Sequence, residues 1–191
     1  LALWINAYNA LCISLIVQAR GAPGGETLLS INELTTDKGG KVWDRVAGTV
    51  GGKQFSLNAI EHGELREKWA EPTLHACIVC ASAGCPDLRP EAFPGNPEAL
   101  KAAMDDQMRY WMANQDKGML VDQEERKIVL SRIFLWFADD FGGLRDNGAL
   151  GFVKEFAKPE EKDFIQKEQM RLRVRYFDYD WKLNVEKQGE P

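Results

Sequence analysis

The residues best suited to chemistry lie in one short stretch, His75–Pro86, which holds three of the four cysteines and one of the two histidines. Its first half, 75–80, is an apolar run with a β-branched pair, which predicts a buried strand rather than a helix. Four small residues, 81–84, follow and predict a tight turn. Backbone N–H groups in such a turn can approach an anion closely. A thiol at Cys80 would therefore stand beside groups that stabilise negative charge, as a catalytic nucleophile stands beside its oxyanion hole.

Four interpretations of these cysteines remain open from the sequence. They could be inert buried thiols, because Cys is among the most buried residue types. A zinc site would use His75, Cys77, Cys80 and Cys85. However, Cys77 and Cys80 are three apart and would point to opposite faces of a strand, and only one CxxC motif is present. We therefore expect no metal. A disulfide between Cys80 and Cys85 is sterically conceivable across the turn. Finally, a histidine could activate the thiol by lowering its pKa, and His62 is the candidate general base, although a surface or satisfied core histidine is the commoner case.

The composition is typical of a packed globular protein of 191 residues, with 45% hydrophobic and 10% aromatic residues. We expect one domain spanning residues 1–191. The formal net charge is −5, and Lys and Arg are nowhere concentrated among aromatic residues, so nucleic acid and anionic membrane surfaces are not expected partners. Glycine-rich dinucleotide loops, Walker loops, HExxH and GxSxG motifs are all missing from the sequence, so no cofactor is expected.

The first segment, Leu1–Ala19, lacks helix breakers until Gly21 and Pro23, and it is apolar nearly all round. This pattern predicts a central buried helix. Asn6 and Asn9 share one face of it and must find hydrogen-bond partners, whether to hold neighbouring loops or to orient a catalytic group. Polar residues in the middle argue against a membrane span, and a basic start and a cleavage site are both missing, so no signal peptide is expected. The chain begins without Met, so we expect any targeting segment to lie outside the given sequence. If such a leader has been removed, this soluble chain would be located outside the cytoplasm. Its localisation stays open.

The rest of the chain predicts short strands between helices. A glycine-rich hairpin turn stands at Val50–Lys53, and Asn96-Pro97 is a helix start. The other predicted elements are a helical turn at 31–34, a helix from Leu57 toward Trp69 capped by Ser56, a hairpin over 118–131, helices at 133–141, 149–157 and 159–169, and a half-buried strand over 172–181. Together they predict an α+β domain with a small, mostly antiparallel sheet and packed helices, including the buried N-terminal helix.

Several strings in this order resemble the domain-of-unknown-function family numbered 547, which occurs in bacterial proteins and at the C-terminus of plant leucine-zipper proteins. They are Trp4–Asn9, Ser56–Arg66, His75–Pro86, Trp136 with Asp140-Phe141, and Tyr179–Asn184. One departure is Ala81, where the family more often has Gly. The resemblance implies that the Asn6/Asn9 helix, the Glu61-His62 helix and the Cys80 turn belong to one arrangement.

The family carries no established activity, so function is a matter of analogy. A buried helix on a small sheet with Cys, His and amide groups is similar in its ingredients to papain-like and transglutaminase-like cysteine hydrolases. Relatives are fused to glutaredoxin-like, DEP and coiled-coil segments, which suits an interaction module equally well.

The leading hypothesis is a cysteine-dependent hydrolase or acyl transferase that acts on a peptide or amide substrate. Its expected site comprises Cys80 as nucleophile, His62 as base, Glu61 or Asp140 orienting the imidazole, backbone N–H groups near Ser82 as oxyanion donors, and Asn6 assisting. The alternative is a non-catalytic protein-interaction module in which these polar residues form a structural network. A peptide or protein partner is compatible with both, and the substrate and oligomeric state stay open.

Overall fold

The computed structural model describes residues 1–36, 38–144 and 148–184. Within them the chain forms two compact units that alternate along the sequence. The first unit contains Leu1–Ala70, Ile78–Leu88 and the end of the described chain from Asp180, and the second contains Glu71–Cys77 and Arg89–Tyr179. Helices and short strands occur in both units, which confirms the α+β class. One domain over 1–191 stays a prediction.

The elements have the following bounds. The strands are β1 (Val46–Val50), β2 (Lys53–Ser56), β3 (Met119–Asp122), β4 (Lys127–Leu130) and β5 (Arg173–Tyr176). The helices are α1 (Ala2–Gly21), α2 (Glu67–Trp69), α3 (Leu74–Cys77), α4 (Pro97–Ala113), α5 (Ile133–Trp136), α6 (Gly148–Lys154) and α7 (Pro159–Glu168). A π-helical segment, Ala59–Arg66, runs directly into α2, and 3₁₀ turns lie at Gly25–Thr27, Ile31–Glu33, Val42–Asp44 and Ala138–Phe141.

The predicted N-terminal helix is confirmed as α1, and it is buried on one side only, where it packs against β1 and the π-helical segment in the first unit. Its core-facing side buries six residues: Ala2, Ile5, Tyr8, Asn9, Cys12 and Leu15. The opposite side leaves Leu3 and Val17 64% and 63% exposed. Composition could not reveal this one-sided burial, because both sides of the helix are apolar.

By length and hydropathy, α1 also qualifies as a membrane-crossing helix, and among the described residues it alone does so. Core helices of soluble proteins and signal sequences meet the same criterion.

The hairpin of the first unit forms as the sequence predicts. Strands β1 and β2 pair antiparallel around Gly51 and Gly52, which both have positive φ (57° and 80°), as the tightest hairpin turns require. Ser56 ends β2, and its Oγ accepts a hydrogen bond from the Ala59 N–H at 3.1 Å. This predicted cap starts the helical segment that carries Glu61 and His62.

The strand predicted for 75–80 is wrong. Leu74–Cys77 form one helical turn, α3, and 78–80 continue without regular structure. Every residue from Thr73 to Val79 is buried, so the pattern predicted the burial correctly. A short apolar run fits a buried helical turn as well as a buried strand, and only its packing decides between them. The inference that Cys77 and Cys80 point to opposite faces of a strand therefore fails.

The second unit is built on α4 and a three-stranded sheet. Asn96 caps α4 by accepting a hydrogen bond from the Ala99 N–H at 3.0 Å, as predicted. Strands β3 and β4 form the predicted antiparallel hairpin, and β5 adds to β4 in parallel. The core of this unit combines aliphatic side chains and methionines with aromatic rings, of which Trp111 and Phe134 stack at 5.1 Å between centroids.

Candidate functional site

Cys80 lies at the start of a tight turn in the first unit and is the most accessible of the cysteines. All four cysteines are thiols; Cys80 is half-buried, and Cys12, Cys77 and Cys85 are buried. The backbone N–H of Cys80 donates to Sγ of Cys85 at 3.1 Å, so the turn brings the two cysteines together. Cys85 Sγ also lies 3.9 Å from the carbonyl oxygen of Ile78.

The residue after Cys80 has an unusual backbone conformation. Ala81 has φ +59°, in the left-handed region that favours glycine. Ala81 therefore holds local backbone strain.

The closing segment of the chain holds the turn in place. The N–H groups of Ala83 and Gly84 donate to the carbonyls of Lys182 (2.7 Å) and Asp180 (2.9 Å), and the Asn184 N–H donates to the carbonyl of Ala81 at 2.8 Å. Within the turn, the Cys85 N–H donates to the Ser82 carbonyl at 3.0 Å. Among the described residues, these bonds use the N–H groups of Ala83, Gly84, Cys85 and Asn184, and the oxyanion role expected for N–H groups near Ser82 stays a prediction.

A buried tyrosine that sequence reasoning missed lies in the same unit. Tyr8 is 2% exposed, and its hydroxyl donates to Oε2 of Glu61 at 3.2 Å. Burial raises the pKa of Tyr8 well above its ordinary value, and the charges of Glu61, Cys12, Cys80 and Cys85 add to this in decreasing order. Tyr8 therefore stays protonated and donates a hydrogen bond. The sequence contains one clue to the burial of Tyr8. This residue lies within the string Trp4–Asn9 and on the same helix face as Ile5 and Cys12.

Asn9, one of the two predicted buried amides of α1, has a structural partner. Its Oδ1 accepts a hydrogen bond from the buried N–H of Val79 at 2.9 Å. This bond fixes the backbone immediately before Cys80 to α1. Asn6 lies half-buried, three residues earlier on the same helix.

His62, the predicted base, is exposed on the π-helical segment. Its Nδ1 lies 2.8 Å from a guanidinium nitrogen of Arg66, one helical turn later. Because a guanidinium only donates, Nδ1 of His62 accepts, which assigns the ring proton to Nε2 in the neutral form. The carboxylate of the neighbouring Glu61 accepts the hydrogen bond from Tyr8.

Asp140 does orient an imidazole, but that of His75 in the second unit. Oδ2 of Asp140 lies 2.7 Å from Nε2 of His75. His75 is 3% exposed, and its ring packs beside Phe137 and Phe141 with centroids 4.5 and 5.2 Å away. The sequence places these two residues 65 positions apart and contains no local pattern that joins them.

A hollow of about 180 Å³ lies beside the cysteine turn in the first unit. Its walls are mostly aliphatic, with Ser82 and Asn184 as polar members. The remaining lining residues are Ile13, Ile16, Val17, Val79, Ala81, Pro86 and Leu88. The hollow is therefore suited to an apolar group of about the size of one large side chain.

The model of the family described as "Protein of unknown function, DUF547" matches residues 1–112 of this chain. The chain belongs to the DUF547 family. This match confirms the resemblance over residues 1–112, and that part of the DUF547 chain contains Glu61, His62 and Cys80. Searches of curated proteins and of solved structures found no match.

Burial makes two of the other cysteines of the DUF547 chain unreactive. Burial raises the pKa of Cys12 and of Cys77 far above their ordinary value, so both remain protonated and unreactive at neutral pH. Nearby negative charge adds to the effect, from Cys80 on Cys12 and from Glu71 on Cys77. Among the described residues, no group of three or more His, Cys, Asp and Glu side chains is arranged to hold a metal ion.

Proposed function

We propose that this DUF547 chain is a cysteine-dependent hydrolase or acyl transferase, with Cys80 as its nucleophile and a peptide or amide carbonyl as its target. One observation carries the proposal: the half-buried thiol is followed directly by Ala81 in a left-handed conformation. Strained backbone is concentrated at functional sites, and a tight turn is a common way to present a nucleophile.

The rigidity of the turn supports this role. Hydrogen bonds from Ala83, Gly84 and Asn184 to the facing backbone fix the path of the turn before any substrate arrives. Donors that are fixed in advance stabilise a developing oxyanion without reorganisation. In the proposal, the N–H groups of Ala81 and Ser82 bind the oxyanion, and an apolar group of the substrate occupies the adjacent hollow.

The proposed chemistry is acyl transfer through a thioester. Sγ of Cys80 bonds to the carbonyl carbon while its proton passes to His62, and the amine leaves with that proton. Water, or another nucleophile in a transferase, then breaks the thioester. Because Nδ1 of His62 accepts from Arg66, uptake of a proton at this nitrogen requires the Arg66 side chain to move away. Tyr8 holds Glu61, and Asn6 assists from α1; Asp140, which binds His75 in the second unit, has no role in the proposed step.

The test is the pH dependence of alkylation by iodoacetamide, followed at each cysteine by peptide mass spectrometry. We expect Cys80 to react at a pH below the ordinary thiol pKa of about 8.5, with buried Cys12 and Cys77 as unreactive internal controls. His62→Gln should move the profile of Cys80 toward that ordinary value. Arg66→Ala, which releases Nδ1, should leave the low-pH reactivity in place. An ordinary profile for Cys80 in the wild-type chain would contradict the proposal.

The second candidate is a non-catalytic protein-interaction module. It is favoured by the number of polar groups whose partners are structural: Asn9 holds Val79, Tyr8 binds Glu61, and the turn pairs with the closing segment. In this case the hollow accepts one apolar side chain of a partner peptide, and Cys80 alkylates like an ordinary thiol.

A further inference from the structure

We infer that Cys80 and Cys85 form a reversible peroxide-responsive dithiol, in which Cys80 meets the oxidant and Cys85 resolves the product as a disulfide. The site is the turn itself. The backbone N–H of Cys80 lies 3.1 Å from Sγ of Cys85, and the two residues are five positions apart. Because Sγ of Cys80 is only three bonds from that nitrogen, the two sulfurs are close neighbours, and rotation about the Cα–Cβ bond of Cys80 changes the distance between them.

The unequal exposure of the two thiols assigns their order of reaction. Cys80 is half-buried and can meet a small oxidant, whereas Cys85 is 3% exposed. Redox-responsive cysteines combine an accessible thiol with an adjacent resolving thiol, and this turn contains both. The turn is also held by the Cys85 N–H to Ser82 carbonyl bond, which keeps the resolving residue in place.

The chemistry balances with hydrogen peroxide as the oxidant. The thiolate of Cys80 attacks one peroxide oxygen and breaks the O–O bond, which gives a sulfenic acid at Cys80 and, after protonation, one water. The thiol of Cys85 then attacks the sulfenic sulfur and expels a second water. Two thiols and one peroxide thus become one disulfide and two waters, and a dithiol reductant reverses the change.

Cys12 is the competing partner, because its electrostatic interaction with Cys80 places it nearby. It lies on the buried face of α1, where the helical backbone and the core fix its direction. Cys85 lies in the same turn as Cys80, and its sulfur already contacts the Cys80 backbone. The structure therefore favours Cys85 over Cys12 as the resolving thiol.

The experiment oxidises the reduced full chain with equimolar hydrogen peroxide. The product is unfolded and its remaining thiols are blocked with iodoacetamide; the chain is then reduced, and new thiols are labelled with N-ethylmaleimide. We expect the second label on Cys80 and Cys85 together, and the first label on Cys12 and Cys77. Cys12→Ser should give the same pattern for the other three cysteines.

Two further variants test the assigned order. Cys85→Ser should stop at a sulfenic acid on Cys80 that dimedone traps, and Cys80→Ser should leave Cys85 as a thiol over the same period. Second label on Cys12 or Cys77, or an unlabelled wild-type chain, would overturn the inference. This readout does not depend on catalysis. If the disulfide forms but Cys80 shows an ordinary pH profile of alkylation, the proposed function is refuted and the inferred dithiol stands.

Discussion

Replacement of Ala81 by glycine should stabilise the protein. Ala81 has φ +59°, a conformation in which an L-residue crowds its Cβ against the following carbonyl. Glycine adopts this region freely because it has no Cβ. An Ala→Gly change normally destabilises a protein by giving the unfolded chain more freedom, so the sign of the effect at Ala81 reports the backbone strain directly.

The expected size follows from two opposing contributions. Relief of the left-handed conformation is worth about 1–2 kcal/mol, and the added freedom of the unfolded chain opposes it by about 0.4–1 kcal/mol. At the midpoints of these two ranges, the free energy of unfolding of Ala81→Gly should therefore rise by about 0.8 kcal/mol. Ala83 is the matched control, because it lies in the same turn and is not among the described residues with positive φ. Ala83→Gly should lower the free energy of unfolding by about 0.4–1 kcal/mol.

The assay is urea unfolding of both variants and the wild-type chain, followed by tryptophan fluorescence and extrapolated linearly to water. For a chain of this length, 1 kcal/mol also corresponds to a change in Tm of about 2–4 °C, which gives a second readout. Equal destabilisation by Ala81→Gly and Ala83→Gly would refute the reasoning, because it would mean that Ala81 is under no strain in solution.

Two further predictions concern buried polar groups. Asp140→Ala removes the carboxylate that binds the buried Nε2 of His75, and it should lower the free energy of unfolding by about 1–3 kcal/mol. The control is Asp139→Ala at an exposed position, which should change the free energy of unfolding by less than about 0.5 kcal/mol. Equal effects of the two substitutions in urea unfolding would contradict a stabilising His75–Asp140 bond. Burial raises the pKa of Tyr8 above its ordinary value of 10.0, so above that pH the unfolded chain loses a proton that the folded chain keeps, and stability should fall as pH rises. In Tyr8→Phe, the free energy of unfolding should fall less steeply with pH, by up to about 1.4 kcal/mol per pH unit, whereas Tyr110→Phe at an exposed position should not change the steepness. Urea unfolding between pH of about 9 and about 11 measures how the free energy of unfolding of each variant depends on pH. The same dependence in Tyr8→Phe and in the wild-type chain would disprove the raised pKa of Tyr8.

The elements predicted correctly are those whose determinants are local. Gly51 and Gly52 specify their hairpin because both positions require positive φ, and Asn96 with Pro97 specifies the start of α4 through a cap and a fixed φ. These interactions involve residues within a few positions of one another. The apolar run at 75–80 was assigned wrongly because its pattern fits two structures, and only the packing of α3 selects the helical turn.

In the candidate site too, local features could be predicted from the sequence and long-range contacts could not. The sequence singled out Cys80 and its turn of small residues, and the structure places a strained Ala81 there. It did not reveal the role of Tyr8, because a tyrosine on an apolar helix face is usually core and its partner Glu61 is 53 positions away. It also named His62 for its motif, whereas the buried imidazole that a carboxylate orients is His75.

By itself, the sequence determined the α+β class, the DUF547 membership and the thiol turn, since composition, turn residues and continuous strings carry that information. The tertiary structure alone decided which polar groups became partners: Asn9 with Val79, Tyr8 with Glu61, and His75 with Asp140. The physical reason is that a buried donor or acceptor must be satisfied, but many partners along the chain could satisfy it. The packing of the whole chain selects one of these partners, so the residue type at a single position does not predict which partner it will bind.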